Sequence, residues 1–242
     1  MKRAIVFGAT GGIGQEICRD LAAEGWSLYL HYNSHEQVAL DLGKELFDKY
    51  PKQDFLPIKL DFEANDSQLE DFAKSLLPVN AAVFAQGITK YGFLGDEKLD
   101  NITKIINVNL TVPIKLTKLL EPQLMRQEYS RIVYLGSVYG GAGSALETVY
   151  SATKGGLTRF AQAYAREVAS NNLTVNVIAP GAVKTKMNAI FSEDTIQKVR
   201  DEIPMGRWAK ASDISYWVST LLNKRSGYLT GQTIYVTGGW LL

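Results

Sequence analysis

The chain has 242 residues, with 26 basic and 25 acidic side chains and a net charge of +1. That length suits one α/β unit with a substantial core, and the even charge balance excludes nucleic acid or an anionic membrane as the expected partner. Cys18 is the only cysteine, so no disulfide forms within the chain, in keeping with a reducing cytoplasm.

The apolar run after Met1-Lys-Arg stops at Gly8, too short for a secretory signal. No other run approaches the length of a bilayer span. Ala4–Phe7 reads as a strand buried on both faces. Gly8-Ala-Thr-Gly-Gly-Ile-Gly14 follows, then a helical segment over Gln15–Glu24 that contains Cys18, which reads as a buried thiol. Strand, glycine turn and helix form the setting that a dinucleotide pyrophosphate uses, because backbone N–H groups and the helix dipole face the ligand. Gly8, Thr10, Gly11, Gly12, Ile13 and Gly14 are therefore candidate cofactor contacts.

A second strand, Ser27–His31, ends at Tyr32, Asn33 and Ser34, with no acidic residue before Glu36. An acid at this place holds the ribose hydroxyls of NAD and repels a 2′-phosphate. Its absence favours NADP(H), with NAD(H) as the alternative. His31 and His35 are the only histidines, without clustered cysteines or carboxylates, so no metal site is expected. Further along come a helix over 36–49, a strand over 54–60 and Asp61, placed either to meet an adenine amine or to cap the next turn. A helix near 66–77 and a strand from Ala81 to Gly87 follow, the latter ending beside the cofactor cleft. Two helical stretches are expected within 98–127, joined around Thr111-Val-Pro113, with a structural role as the default for Asn107 and Asn109.

A fifth strand, Arg131–Ser137, delivers Ser137 to its carboxyl end, where ligands sit in a doubly wound sheet. The loop Tyr139–Ala145 leads to a helix over 150–170 that carries Tyr150 and Lys154, one turn apart on one face. An ammonium about 4 Å from a phenol, at an effective dielectric of about 20, is worth roughly 4 kcal/mol to the phenolate. That is enough to bring a phenol from about pKa 10 towards neutrality. A strand over 173–178 precedes the loop Pro180–Thr185, again on the ligand side. Residues 186–210 lack a clean period and read as a substrate lid. A helix over 211–222 and a strand over 233–236 complete one domain spanning 1–242. The expected fold is a single-domain Rossmann-type doubly wound parallel sheet of about seven strands, with helices on both faces.

Gly8-x-x-x-Gly12-x-Gly14, Asp61, Asn107-Val-Asn109, Ser137, Tyr150-x-x-x-Lys154 and Pro180-Gly181 with Thr185 stand in an order that resembles the short-chain dehydrogenase/reductase family, over essentially the whole length. Val175–Gly181, Pro204–Arg207 and Tyr228–Gln232 resemble its 3-oxoacyl-carrier-protein reductase branch. The resemblance implies an NADPH-dependent carbonyl reductase, with a 3-oxoacyl thioester as the first substrate class. An alcohol, sugar or polyol dehydrogenase is the alternative, and a non-catalytic dinucleotide-binding protein the third reading. It implies Tyr150 as general acid, Ser137 on the substrate oxygen and Asn109 holding a water toward Lys154. Lys154 would lower the Tyr150 pKa and bind the nicotinamide ribose. Asp61 and Phe62 would lie at the adenine, Ala85, Gln86 and Gly87 beside the cofactor, and Pro180, Gly181, Val183 and Thr185 at the nicotinamide. It also implies a homotetramer built on the two long helices and the C-terminal strand.

Three departures stand out. Phe7 replaces a threonine whose hydroxyl ties strands together. Phe84-Ala-Gln-Gly87 replaces Asn-Asn-Ala-Gly. Glu128 and Asn171 stand where carrier-protein-using members have basic residues, so docking of an acidic acyl carrier protein is opposed there. Arg126, Arg131 and Arg166 are the nearby substitutes.

Overall fold

The computed structural model describes residues 2–185 and 191–241. Every position of β1 (Arg3–Phe7) after Arg3 is buried, because the strand is covered on both faces. Ala4 and Val6 pack beneath α1 (Gly12–Ala23), α2 (Glu36–Lys49) and α9 (Ala211–Leu222), through Ile17, Leu21, Leu42, Leu46, Ile214 and Val218. Ile5 and Phe7 point the other way, to α3 (Asp66–Ser75), α5 (Val112–Leu124) and α7 (Thr148–Val168), where they meet Phe72, Leu116, Leu157 and Ala161. This strict alternation is the strand period of two applied to two helical layers.

Among the described residues the sheet has seven parallel strands in the order β3-β2-β1-β4-β5-β6-β7. The others are β2 (Ser27–Tyr32), β3 (Phe55–Lys59), β4 (Ala81–Phe84), β5 (Ser130–Leu135), β6 (Leu173–Pro180) and β7 (Thr233–Val236). Strand order reverses between β1 and β4, so the loops after these strands separate and leave a crevice at their carboxyl ends. The expected doubly wound sheet is the observed one.

Phe7 and Phe84, two of the departures from the family pattern, are register partners, and Phe84 faces Tyr134 in turn. Their rings stack with centroids 4.7 Å and 4.9 Å apart. Aromatic stacking thus joins the strands where the family's hydroxyl is missing.

Two segments differ from expectation. The run from α4 (Leu99–Ile106) to α5 is joined by a π-helical turn over Asn107–Thr111 rather than a break at Pro113. Pro113 occupies the first turn of α5, where a missing N–H costs nothing, so the chain keeps coiling. Part of the expected lid, 186–190, lies outside the described residues. Its remainder forms α8 (Glu193–Glu202), capped by Ser192, whose hydroxyl accepts the Thr195 N–H. Charged residues dominate α8, and its apolar stripe is only Ile196 and Val199. With Ile203 and Trp208 these pack on Val138 and Trp240. So narrow a stripe hides the helical period in the sequence. The loop expected over 139–145 begins with a short helix, α6 (Tyr139–Ala142).

Replacing Phe7 with Ala removes one end of the aromatic stack and is expected to cost about 3–5 kcal/mol in urea unfolding. A double-mutant cycle with Phe84→Ala should show a coupling of about 0.5–1.5 kcal/mol. Additive losses would mean that the stack contributes burial alone.

Candidate active site

The crevice begins at Gly8, whose φ is +77° and whose added Cβ would lie 2.7 Å from the Gln86 nitrogen. At Gly14 the crowding is tighter, since a Cβ there would fall 2.1 Å from the Gly8 carbonyl oxygen. Side chains are excluded from both places, so the turn presents backbone to whatever binds. Helix α1 starts behind it with Gly11 as N-cap, no side-chain cap and no acidic residue in its first turn. Its dipole therefore faces the crevice without local neutralisation. Thr185, from the loop after β6, closes over this turn, its Cγ2 lying 3.2 Å from where a Gly12 Cβ would be.

His31 fixes the same turn from below. Its Nδ1 accepts the Gly8 N–H at 3.0 Å, and its Nε2 lies 3.0 Å from the Leu60 carbonyl oxygen. An amide can only donate, so the proton is on Nε2 and donates to Leu60. Phe7 and Phe62 pack against the imidazole, and burial pushes its pKa down to about 4. Sequence reading passed over this residue as a metal candidate. The available signal was a histidine inside a strand buried at every position, which must find two partners.

On the other side of the crevice the π-turn carries Asn109, fully buried, toward the loop after β4. Its side chain clasps Ile88 from both sides, accepting the N–H at 2.9 Å and donating to the carbonyl at 2.8 Å. Thr153 accepts a further bond at 3.3 Å. Gln86 makes one long contact, its Nε2 donating to the Val108 carbonyl at 3.4 Å. Its buried Oε1 has no partner among the described residues. Gly87 leaves room for Lys154, whose Nζ is 3.4 Å from an added Cβ.

Ser137, Tyr150 and Lys154 converge at the end of β5. Lys154 is 3% exposed and donates to the Leu135 carbonyl at 2.7 Å, and burial lowers its pKa to about 8. Its Nζ lies 5.6 Å from the centre of the Tyr150 ring. Contrary to the expectation from spacing, the phenol is not drawn toward neutrality. Burial pushes it up to about 12, a hydrogen bond with Ser137 offsets part of this, and the charge of Glu147 adds to the rise. The ammonium is itself desolvated and turned to a carbonyl, so the desolvation of both groups outweighs their attraction.

The remaining candidates are spread along the rim. Tyr32 donates to Glu36 at 2.8 Å, so a carboxylate does reach the end of β2. Asn33 approaches Asp61 at 3.5 Å, while Ser34 is 3.4 Å from His35. Asp61 caps the next turn, accepting the Glu63 N–H at 2.9 Å. The Phe62 ring is in the core against Phe7, so its side chain supports the turn instead of facing the crevice. Ala85 donates its N–H to the Phe7 carbonyl at 2.9 Å. Pro180 accepts from Val138 at 2.8 Å and Gly181 donates to Val236 at 3.0 Å. Val183 is buried and bridges to Ala209.

The family model described as enoyl-(acyl carrier protein) reductase matches residues 8–241. The chain belongs to the short-chain dehydrogenase/reductase family. Among the relatives of this oxidoreductase is an uncharacterized oxidoreductase of Bacillus subtilis, YmfI, 33% identical over 99% of this chain and 98% of that one. Another is the 3-oxoacyl-[acyl-carrier-protein] reductase FabG of Haemophilus influenzae, 32% identical over 100% and 98% of the two chains. A solved blue fluorescent protein from a metagenomic library, in complex with NADPH, superposes with a TM-score of 0.91 at 29% identity, covering 100% of this chain and 98% of that one. No described helix of this family member is long and apolar enough to cross a membrane.

Folding keeps His31 neutral with a pKa near 4, against 6.5 for the free ring. The unfolded chain therefore takes up a proton that the folded chain refuses. The resulting stabilisation is complete above pH 6.5 and is lost as pH falls toward 4, about 3 kcal/mol in all. Urea unfolding of the oxidoreductase at pH 7 and pH 4.5 should show this loss, and His31→Asn should remove most of it. Equal pH slopes in the two proteins would refute the assignment.

Proposed function

We propose that this oxidoreductase is an NADPH-dependent carbonyl reductase whose substrate class is a 3-oxoacyl thioester. The observation that carries the reading is the convergence of Ser137, Tyr150 and Lys154 at the carboxyl end of β5, beside a turn where Gly8 and Gly14 exclude side chains. The residues fit a dinucleotide. The bare Gly8–Gly14 turn and the uncapped start of α1 offer a pyrophosphate cradle, and the orphaned Gln86 Oε1 is an acceptor for a hydroxyl or amide. The bound nicotinamide supplies the hydride; everything else falls to the chain.

A phenol held near pKa 12 is fully protonated at neutral pH, which is the state a general acid needs. Tyr150 gives its proton to the carbonyl oxygen, and Ser137 donates a second hydrogen bond to the same oxygen as its negative charge grows. Lys154 stays an ammonium below about pH 8, opposite the developing phenolate, and would hold the ribose hydroxyls of a bound cofactor. Asn109 keeps the Ile88 segment in place beside Lys154.

Carrier-protein docking gains little support from the surface. Arg131, one of the substitute cations, is 2% exposed and donates to the carbonyls of Ser130 and Lys224. Lys224 in turn pairs with Glu128. Arg126 and Arg166 stay exposed, but with Arg131 buried and Lys224 paired to Glu128 a small thioester is the simpler first substrate. A second reading, an NAD-dependent alcohol, sugar or polyol dehydrogenase, is favoured by one observation, the Glu36 carboxylate that Tyr32 holds at the end of β2.

Purified protein should oxidise NADPH with the N-acetylcysteamine thioester of a 3-oxo acid, and Tyr150→Phe should lower kcat by about 100-fold or more. Turnover should decline as pH rises through about 8, where Lys154 loses its proton. Near-normal turnover by Tyr150→Phe would defeat the mechanism. A higher kcat/KM with NADH than with NADPH would favour the second reading.

A further inference from the structure

Glu147 stands immediately before α7, three residues ahead of Tyr150. Thr89 donates its hydroxyl to Glu147 Oε1 at 2.8 Å, and the Gly92 N–H donates to the Leu146 carbonyl at 2.9 Å. Two aromatic pairs occupy this end of the crevice. Tyr139 meets Trp240 edge-on at 5.8 Å, and Tyr91 meets Phe191 at 5.6 Å. The charge of Glu147 bears on the phenols of both Tyr139 and Tyr150. Among the described residues no cation neutralises it. Lys90, next to Thr89, approaches Glu97 at 3.7 Å instead.

Among the described residues, the other ionisable groups facing this space are Tyr91 and Glu202, and Glu202 accepts the Trp240 indole N–H at 3.1 Å. A space walled by rings, and bearing a carboxylate that no described cation compensates beside the proton donor, discriminates by charge. A second anion brought next to the reacting carbonyl meets Glu147 in a half-buried, weakly screened space.

We propose that Glu147 is the specificity-determining residue of the substrate pocket, rejecting 3-oxo compounds that carry a carboxylate next to the reacting carbonyl and admitting their neutral esters and thioesters. This rests on the carbonyl-reductase reading above. Thr89, by donating to Glu147, favours its ionised form, while burial raises its pKa. The discrimination therefore weakens as pH falls and Glu147 takes up a proton.

The test compares ethyl 3-oxohexanoate with the 3-oxohexanoate anion, in wild type, Glu147→Gln and Thr89→Val, with NADPH at pH 7.5. Wild type should favour the ester in kcat/KM, and Glu147→Gln should shrink the ester-to-anion ratio by about tenfold or more. Thr89→Val, which removes the donor but leaves the carboxylate, should leave that ratio closer to wild type than Glu147→Gln does. A role in holding the loop alone would lower both substrates together and leave the ratio unchanged in Glu147→Gln, which would overturn the inference. If neither compound is reduced, the reductase reading fails by itself. Calorimetric binding of the same two ligands to the NADP⁺-loaded proteins then decides Glu147 by the same ratio.

Discussion

The crevice beyond the paired strands β1 and β4 depends on a single steric constraint, the absence of a side chain at Gly8. With φ at +77° and the Gln86 backbone 2.7 Å from any added Cβ, the turn closes only as glycine. Gly14 repeats the constraint from the helix side against the Gly8 carbonyl. What these glycines leave open, other residues hold rigid. Phe7 stacks on Phe84, and His31 joins the Gly8 amide to the Leu60 carbonyl across three strand ends. A turn that must present bare backbone cannot stiffen itself, so its support comes from a buried aromatic layer beneath.

The same economy of water governs Tyr150 and Lys154, the pair proposed to move the proton. Placed four residues apart on α7, Tyr150 and Lys154 are close enough to attract, yet both are withdrawn from solvent. Desolvation moves the phenol up and the ammonium down, each toward its neutral form. In the reducing direction this favours donation, since a protonated phenol is needed at the start and an ammonium must oppose the phenolate at the end. Oxidation asks for the phenolate first, and the protein alone does not provide it.

Much of the fold was legible because the strands are continuous apolar runs and the helices have clear faces. Residues 4–7, 81–84 and 131–135 read directly as buried strands, and the glycine turn, Ser137 and Tyr150-x-x-x-Lys154 named in sequence do come together at the carboxyl ends of the strands. What escaped depended on long-range partners. Nothing near His31 in the chain announces Gly8 or Leu60, and the role of Phe7 emerges only when Phe84 becomes its register partner. The pKa of Tyr150 was misjudged because spacing reports the nearest charge and says nothing of burial. The helix α8 was missed because two apolar side chains facing a four-residue aliphatic and indole cluster leave no period to detect. Glu36 sits one turn beyond the expected place, and only the reach of Tyr32 brings its carboxylate to the rim.

Asn109 shows how little backbone irregularity is needed to join these parts. A regular helix through residues 107–111 would rotate each following side chain by the residue that the π-turn absorbs. The bulge lets Asn109 point inward while α5 still lays Leu116 and Leu120 on the sheet. From there a single covalent segment runs through Ile88, clasped by Asn109, to Thr89, bound to Glu147. Glu147 in turn leads into the first turn of α7 and Tyr150. The amide that steadies the floor beside Lys154 therefore also fixes the carboxylate beside the proton donor. The proposed chemistry and the proposed substrate selection thus share one support, and a change in the π-turn reaches both.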